Sequence, residues 1–163
     1  MIDLIRIDDR LIHGQLVEGW VNYLKATCIM VADDAVASNP AQRTIMELSA
    51  PQGLKVFIGS VGEMCLRSRI AGQDAGHAIV VFSNPVDVLR ALDAGMECRA
   101  LNIGGMHYMP GKRKLMDVLA VNDADLAALQ EIAGRGVRIT VQAVPNQRPI
   151  PLEKVLKTGE LKK

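Results

Sequence analysis

The ten residues Arg6-Ile7-Asp8-Asp9-Arg10-Leu11-Ile12-His13-Gly14-Gln15 place two carboxylates, two guanidinium groups and one imidazole between an apolar segment and an amphipathic one. Before them, Ile2 to Ile7 alternates apolar and polar residues, the period of a strand with one buried face. After them, Leu16, Val17, Trp20, Val21 and Leu24 recur at helical spacing within Gly14 to Lys25, which predicts a helix with one buried stripe. Strand, charged loop and helix follow in order, and that unit governs the reading of the rest.

The same grammar repeats downstream. Cys28 to Ala32 is an apolar strand closed by Asp33-Asp34, and Ser38-Asn39-Pro40 offers an N-cap and a first-turn proline for a helix reaching about Leu48. Ala50-Pro51-Gln52-Gly53 is a turn, Leu54 to Ile58 a strand, and Ser60 to Ala71 a helix with Val61, Met64, Cys65 and Ser68 on one face. Ala78 to Phe82 is a continuous apolar strand. Ser83-Asn84-Pro85 opens a helix with Val86, Leu89 and Leu92 turned inward, which stops at Gly95. Ala100 to Ile103 is a strand ending in Gly104-Gly105-Met106-His107, with a loop to Lys114 and a short strand near Asp117 to Ala120. Asp123 caps a helix bearing Leu126, Leu129 and Ile132, and Val137 to Val144 is an alternating strand.

From Pro145 the chain is rich in proline and lysine and is predicted to be a peripheral tail with one helical turn around Leu152 to Leu156. Strands alternating with helices imply right-handed βαβ crossovers. The predicted fold is therefore a single-domain α/β structure, a doubly wound, mostly parallel sheet flanked by helices on both faces.

The 163 residues, 49% hydrophobic and 23% charged, suit one core. A formal net charge of +1 gives no whole-molecule attraction to nucleic acid, so no nucleic-acid partner is expected. No apolar run approaches the ~20 residues that span a bilayer, and the N-terminus lacks a signal-peptide pattern, so the expected location is the cytoplasm. Cys28, Cys65 and Cys98 are odd in number and far apart, which predicts reduced packing residues; no spacing suits zinc, and no metal is expected. The oligomeric state is open.

In sheets of this class ligands bind beyond the carboxyl ends of the strands, where strand order reverses. Three polar loops are candidates to meet there: Asp8 to His13, Asp33 to Ser38, and Gly104 to Lys112. His13 stands at a helix start, where unpaired N–H groups and roughly half a positive charge favour an anion by about 0.3 to 1 kcal/mol. A phosphoryl group on His13 would meet the Gly14 and Gln15 amides. Arg10 adds donors suited to phosphate oxygens, as does Arg6 if it points the same way. A neutral imidazole is a nucleophile when a carboxylate fixes its tautomer, and Asp8 or Asp9 can fill that role.

Gly104 and Gly105 either let backbone approach the phosphate or supply positive φ in a turn. His107 is a candidate acid–base helper or second phosphoryl ligand, against a loop histidine making local hydrogen bonds. Lys112-Arg113-Lys114 either docks an acidic partner or is a solvated turn. His77 reads as structural and Trp20 as packing. Arg–Asp clusters after strands also form purely structural ion pairs, so the charged loop alone leaves function and scaffold both open.

The stretch Arg6 to Gln15 closely resembles the signature of the IIB subunits of the mannose, fructose and sorbose family of the bacterial sugar phosphotransferase system. The resemblance continues through Val31-Ala-Asp-Asp34, Ala50-Pro51, Phe82-Ser-Asn-Pro-Val-Asp-Val88, Leu101-Asn-Ile-Gly-Gly-Met106 and Gly111-Lys112, nearly the whole chain in order. It implies a doubly wound fold and a phosphoryl relay. A histidine of a IIA protein donates to the motif histidine, here His13, and the group passes to a sugar held by membrane IIC and IID subunits. The arginine that assists transfer falls on Arg10. No cofactor is implied beyond the transient phosphohistidine, the donor is expected to be a separate polypeptide, and IIC and IID would bring the chain to the inner face of the membrane. Outside the phosphorylation motif, Ser38-Asn39 stands where many relatives have an acidic residue, and His107-Tyr108-Met109 falls at a position that varies in the family. Two other readings remain: a regulatory IIB-like phosphoprotein that signals without transport, and a nucleotide- or metabolite-binding α/β domain.

Overall fold

Ile29 and Val31 point to one side of their strand and Met30 and Ala32 to the other, and all four are buried. Ile79 and Val81 against Val80 and Phe82 repeat the pattern one strand away. Strands buried on both faces require cover on both, the condition of a parallel sheet wound by crossover helices. The computed structural model describes residues 1–71 and 76–160.

Its strands are β1 (Ile2–Asp8), β2 (Cys28–Ala32), β3 (Lys55–Gly59), β4 (Ala78–Phe82), β5 (Ala100–Gly105), a hairpin of β6 (Arg113–Met116) and β7 (Leu119–Val121), β8 (Arg138–Val141) and β9 (Ile150–Pro151). The main sheet has the order β3-β2-β4-β1-β5-β8-β9, parallel from β3 to β8, with β9 antiparallel at the edge. β1 lies centrally between β4 and β5, so the loop after it opens in the middle of the carboxyl edge.

The first helix, α1, is a π-helix over Gln15–Val21 continued by an α-helical turn over Asn22–Leu24. The expected apolar stripe is kept, with Leu16, Trp20 and Val21 buried, but the winding is wider than the α-helix predicted. Such winding is rare and concentrates at functional sites. With α2 (Asp34–Ala37) and α3 (Pro40–Leu48), α1 covers one face of the sheet through Leu16, Trp20, Val21, Val36 and Met46. The other face is covered by α4 (Val61–Ala71), α5 (Pro85–Asp93), α6 (Asp123–Gly134) and α7 (Leu152–Glu160).

Four local expectations change. The stripe of α5 is Pro85, Val88 and Ala91, with Leu89 and Leu92 half-buried and Val86 turned to solvent. Proline at the first turn sets the start of the helix one residue before Val86, and the apolar i, i+3 series runs from there. The cap of α6 is Asn122, not Asp123, in a reciprocal box in which Asn122 accepts from the Asp125 amide and Asp125 accepts from the Asn122 amide. The basic loop continues into the β6–β7 hairpin. The segment from Pro145 is not peripheral: β9 pairs with β8, and Leu152 and Val155 are buried in the core. Its proline and lysine content masked an amphipathic helix whose apolar positions are three apart. Cys65 is buried, burial pushes the Cys98 thiol up to about 11, and Cys28, Cys65 and Cys98 are all free.

Candidate functional site

β1 delivers Arg6 and Asp8 on the same face, the face covered by α1, because alternate residues of a strand share a side. Both are fully buried. The pairing of β1 with β5 runs Arg6 to Asn102 and Ile7 to Ile103, then skips to Asp8 with Gly105. The extra residue in β5 is Gly104, a bulge of one residue. A β-carbon there would overlap the Arg6 guanidinium, so the glycine makes room for that group. Neither glycine has positive φ, so the turn alternative drawn from sequence does not hold, and Gly104 serves to admit the Arg6 guanidinium.

Arg6 is a buried cation with almost every donor engaged. Its Nη1 donates to Asn102 Oδ1 at 2.5 Å and to the Gln142 carbonyl at 3.1 Å; its Nη2 donates to Asp8 Oδ2 at 2.9 Å and to the Ala143 carbonyl at 3.0 Å. The guanidinium lies 5.6 Å from the centre of the Trp20 ring, which itself donates to the Ala143 carbonyl. Its Nε is buried without a partner. Arg6 thus orients the loop from beneath and is not presented to an incoming anion. Burial pulls it below its ordinary value against the Asp8 charge, yet an arginine stays protonated throughout the working range.

Asp8 collects the cluster. Its Oδ2 lies 2.9 Å from His13 Nε2 as well as accepting from Arg6, and its Oδ1 accepts from the Arg10 amide at 3.3 Å and from Arg10 Nε at 3.4 Å. Burial alone would raise the Asp8 carboxyl, but the His13 hydrogen bond and the Arg6 charge together outweigh it and hold the group below the usual carboxylate range. Asp8 therefore fills the orienting role that sequence left between two aspartates. Asp9 holds the other imidazole, accepting from the His107 amide at 2.7 Å and lying 2.6 Å from His107 Nδ1.

The turn between them is tight. The Leu11 amide donates to the Asp8 carbonyl at 2.9 Å, and Leu11 adopts φ +56 while its side chain is buried. This sparsely populated conformation in a residue with a β-carbon is held by apolar anchoring of Leu11 and Ile12 in the core, and it aims His13 back at Asp8. The His13 carbonyl then accepts from the Leu16 and Val17 amides, starting α1, whose first turn has no side-chain cap. The exposed Arg10 guanidinium reaches over this start and donates from Nη2 to Gln15 Oε1 at 3.1 Å.

The three candidate loops do not all meet. Asp8 to His13 and Gly105 to His107 do: a β-carbon on Gly105 would lie 3.1 Å from His107 Cε1 and 3.4 Å from Asp8 Oδ1. Asp33 and Asp34 turn to other tasks, Asp33 capping α2 through Val36 N, Asp34 accepting from Val61 N and pairing with Arg90. Lys112 pairs with Asp125 at 3.2 Å and Lys114 with Asp117 at 2.8 Å, which fastens the basic run to α6 and to its own hairpin. His77 sits beside Asp3 at the opposite edge of the sheet. Asn102 and Gln142, neither of them a site candidate from sequence, complete the cradle of Arg6; the signals for Asn102 were its apolar neighbours in β5 and its place in the stretch Leu101 to Met106 that carries the resemblance.

Residues 2–163 match the family described as PTS system sorbose subfamily IIB component. The chain is 34% identical to the N-acetylgalactosamine-specific phosphotransferase enzyme IIB component 2 of Escherichia coli K12, over 95% of this chain and 98% of that one. It is 32% identical to the mannose-specific EIIAB component of the same organism over 88% of this chain, which spans 45% of that longer protein. The crystal structure of the IIBSor domain of the sorbose permease from Klebsiella pneumoniae superposes with a TM-score of 0.89 at 31% identity, covering 96% of each chain. The shared fold, and a match running almost from end to end, place this chain in the sorbose subfamily of phosphotransferase-system IIB components, proteins that support phosphoryl transfer in sugar transport.

Proposed function

We propose that this chain is a phosphocarrier in which His13 accepts a phosphoryl group from a histidine of a IIA protein and passes it to a sugar held by membrane IIC and IID subunits. The observation that carries this reading is the 2.9 Å contact between His13 Nε2 and the buried, ionised Asp8. With Nε2–H donating to the carboxylate, the lone pair belongs to Nδ1, and Nδ1 is the nucleophile. As the N–P bond to Nδ1 forms, the donor's P–N bond breaks and its electron pair stays on the donor ring. Nε2 keeps its proton, and Asp8 balances the positive charge of the phosphorylated ring. In onward transfer a sugar hydroxyl oxygen forms the new O–P bond, the N–P bonding pair returns to Nδ1, and the hydroxyl proton is released to water.

The Gly14 and Gln15 amides at the uncapped start of α1 and the exposed Arg10 guanidinium supply donors for the phosphoryl oxygens. No cofactor is needed for a redox-neutral transfer between two imidazoles. Exposed Tyr108 and Met109, directly after His107, give the site an apolar rim on which a IIA partner can seat. Among the described residues no helix is long and apolar enough to cross a membrane. The working place proposed is the cytoplasm, at the inner membrane face when engaged with IIC and IID.

The test is phosphoryl transfer from purified, phosphorylated IIA followed by mapping of the modified atom. An acid-labile phosphate on His13 Nδ1, absent in His13→Ala, is the expected result. The same label persisting in His13→Ala would overturn the assignment.

A further inference from the structure

We propose that Arg6 is a positioning residue which, acting from behind Asp8, holds the neutral His13 imidazole in the tautomer whose Nδ1 carries the lone pair. The inference rests on the reading of His13 as the phosphoryl acceptor, but concerns a residue that never touches the phosphate.

The geometry gives Arg6 a hold on one ring nitrogen. Asp8 is fully buried, and a buried carboxylate stays ionised only beside compensating charge. Arg6 Nη2 is the close buried cation, 2.9 Å from Oδ2, whereas Arg10 Nε is 3.4 Å from Oδ1 on a side chain open to solvent. If Asp8 took up a proton, its O–H would donate across the 2.9 Å contact to His13 Nε2. Nε2 would become the acceptor, and the ring proton would move to Nδ1, leaving no lone pair for the phosphoryl group. Removing Arg6 lifts this constraint and leads to a proton on Nδ1.

The charged and titratable groups around this ring are few: Arg6 from β1, Arg10 from the loop, Asp8 itself, and His107 with Asp9 across Gly105. Of the two arginines, only Arg6 is completely enclosed. Its place is specified from every side, by Asn102, by the carbonyls of Gln142 and Ala143, by the Trp20 ring and by the absence of a side chain at Gly104. A chain that needed only a filled core would set an apolar side chain between Trp20 and β5; an enclosed guanidinium aimed at Asp8 is the costlier choice.

The experiment is 15N NMR of the His13 imidazole in the unphosphorylated protein at about pH 8, where an ordinary neutral imidazole dominates. In the unsubstituted protein Nε2 is expected at the protonated, pyrrole-type shift and Nδ1 at the lone-pair, pyridine-type shift. Nδ1 found protonated there overturns the proposal whatever the variants do. In Arg6→Met and in Arg6→Gln, which keeps a donor but no charge, Nδ1 is expected to carry the proton, and phosphorylation by IIA to slow by about 100-fold or more. Arg6→Lys is expected to restore the bare Nδ1 and to bring the rate back to within about tenfold of the unsubstituted protein. A folded Arg6→Met or Arg6→Gln whose Nδ1 remains bare overturns the proposal even if transfer slows. The tautomer is read without any donor, so absence of transfer to the unsubstituted protein would count against the phosphocarrier reading alone.

Discussion

Asp8 Oδ2 lies 2.9 Å from His13 Nε2, five residues away along the chain, and the same oxygen accepts from Arg6 at 2.9 Å. One buried oxygen therefore joins the end of the central strand to the start of the helix that follows it. The neighbouring carboxylate, Asp9, does the equivalent for His107 with the other ring nitrogen, Nδ1. Two consecutive aspartates at a strand end point to opposite sides and so hold two imidazoles, one on the α1 side and one toward the loop after β5. His13 is left with Nδ1 unengaged by Asp8, and His107 with Nε2 unengaged by Asp9.

The first prediction concerns pH. Asp8 lies below its ordinary value in the folded chain, so between that value and the unfolded one, near about 3.9, the unfolded chain binds more protons. Stability then rises with pH through this window: the Asp8 contribution is complete above it and is lost as acid takes the protein down through the folded value. Urea unfolding followed from pH 6 to pH 3 should show a loss of stability that Asp8→Asn blunts. Asp8→Asn should also be less stable at neutral pH by about 3–5 kcal/mol, because the buried Arg6 charge loses its partner. An acid limb unchanged by Asp8→Asn would sink the argument.

Arg10 should separate catalysis from folding. Its side chain is 40% exposed and its contacts with Asp8 and Gln15 lie at 3.4 and 3.1 Å, near the long end of hydrogen bonding. Arg10→Ala should leave the unfolding midpoint nearly in place and reduce phosphorylation by IIA by about 10²–10³-fold, the usual cost of removing one donor from a developing anion. Circular dichroism with a rapid-quench measurement of phosphohistidine checks both halves. An unchanged transfer rate would remove Arg10 from the mechanism.

The parts of this arrangement that were legible in the sequence are those with a local signature. Alternation in β1, continuous apolar runs in β2 and β4, and the Asn-Pro starts of α3 and α5 each leave a mark within a few residues. His13 and Arg10 were legible because both stand beside a helix start. The division of labour between Asp8 and Asp9 was not, since it depends on which face of the sheet each strand residue takes. The direction of Arg6 stayed open because its burial is created by Gly104, Asn102 and Gln142, about a hundred residues away or more. The tail misled for a related reason: its prolines and lysines are local, whereas the partners of Leu152 and Val155 lie elsewhere in the core.

Gly104→Ala tests the bulge directly. The new methyl would overlap the Arg6 guanidinium, and that group is held by four acceptors and cannot swing into solvent. Overpacking of this kind costs about 1–3 kcal/mol. The expected outcome is a lower melting temperature with slower phosphorylation of His13, since the displaced Arg6 carries Asp8 with it. Gly62→Ala, on α4 at the other face of the sheet, is the control for mere loss of a glycine, because a β-carbon there meets nothing within 4 Å. Should Gly104→Ala match the unsubstituted protein in melting temperature, the close packing of Arg6 against β5 would be refuted.

The last prediction addresses the C-terminal segment. β9 adds to the sheet beyond β8, and Leu152 and Val155, 4% and 6% exposed, pack from α7 into the core on the face away from α1. If the segment were a loosely attached tail, Leu152→Ala would matter little, as surface substitutions stay within about 0.5 kcal/mol. Because the side chain is enclosed, Leu152→Ala should instead cost about 2–5 kcal/mol, from lost apolar burial plus an unfilled cavity. The measurement is the urea midpoint at constant m-value, with Lys154→Ala, an exposed neighbour on the same helix, as reference. Equal midpoints for the two variants would return the segment to the periphery. A large gap would make it part of the sheet that holds the β8 end, where the Gln142 and Ala143 carbonyls grip Arg6.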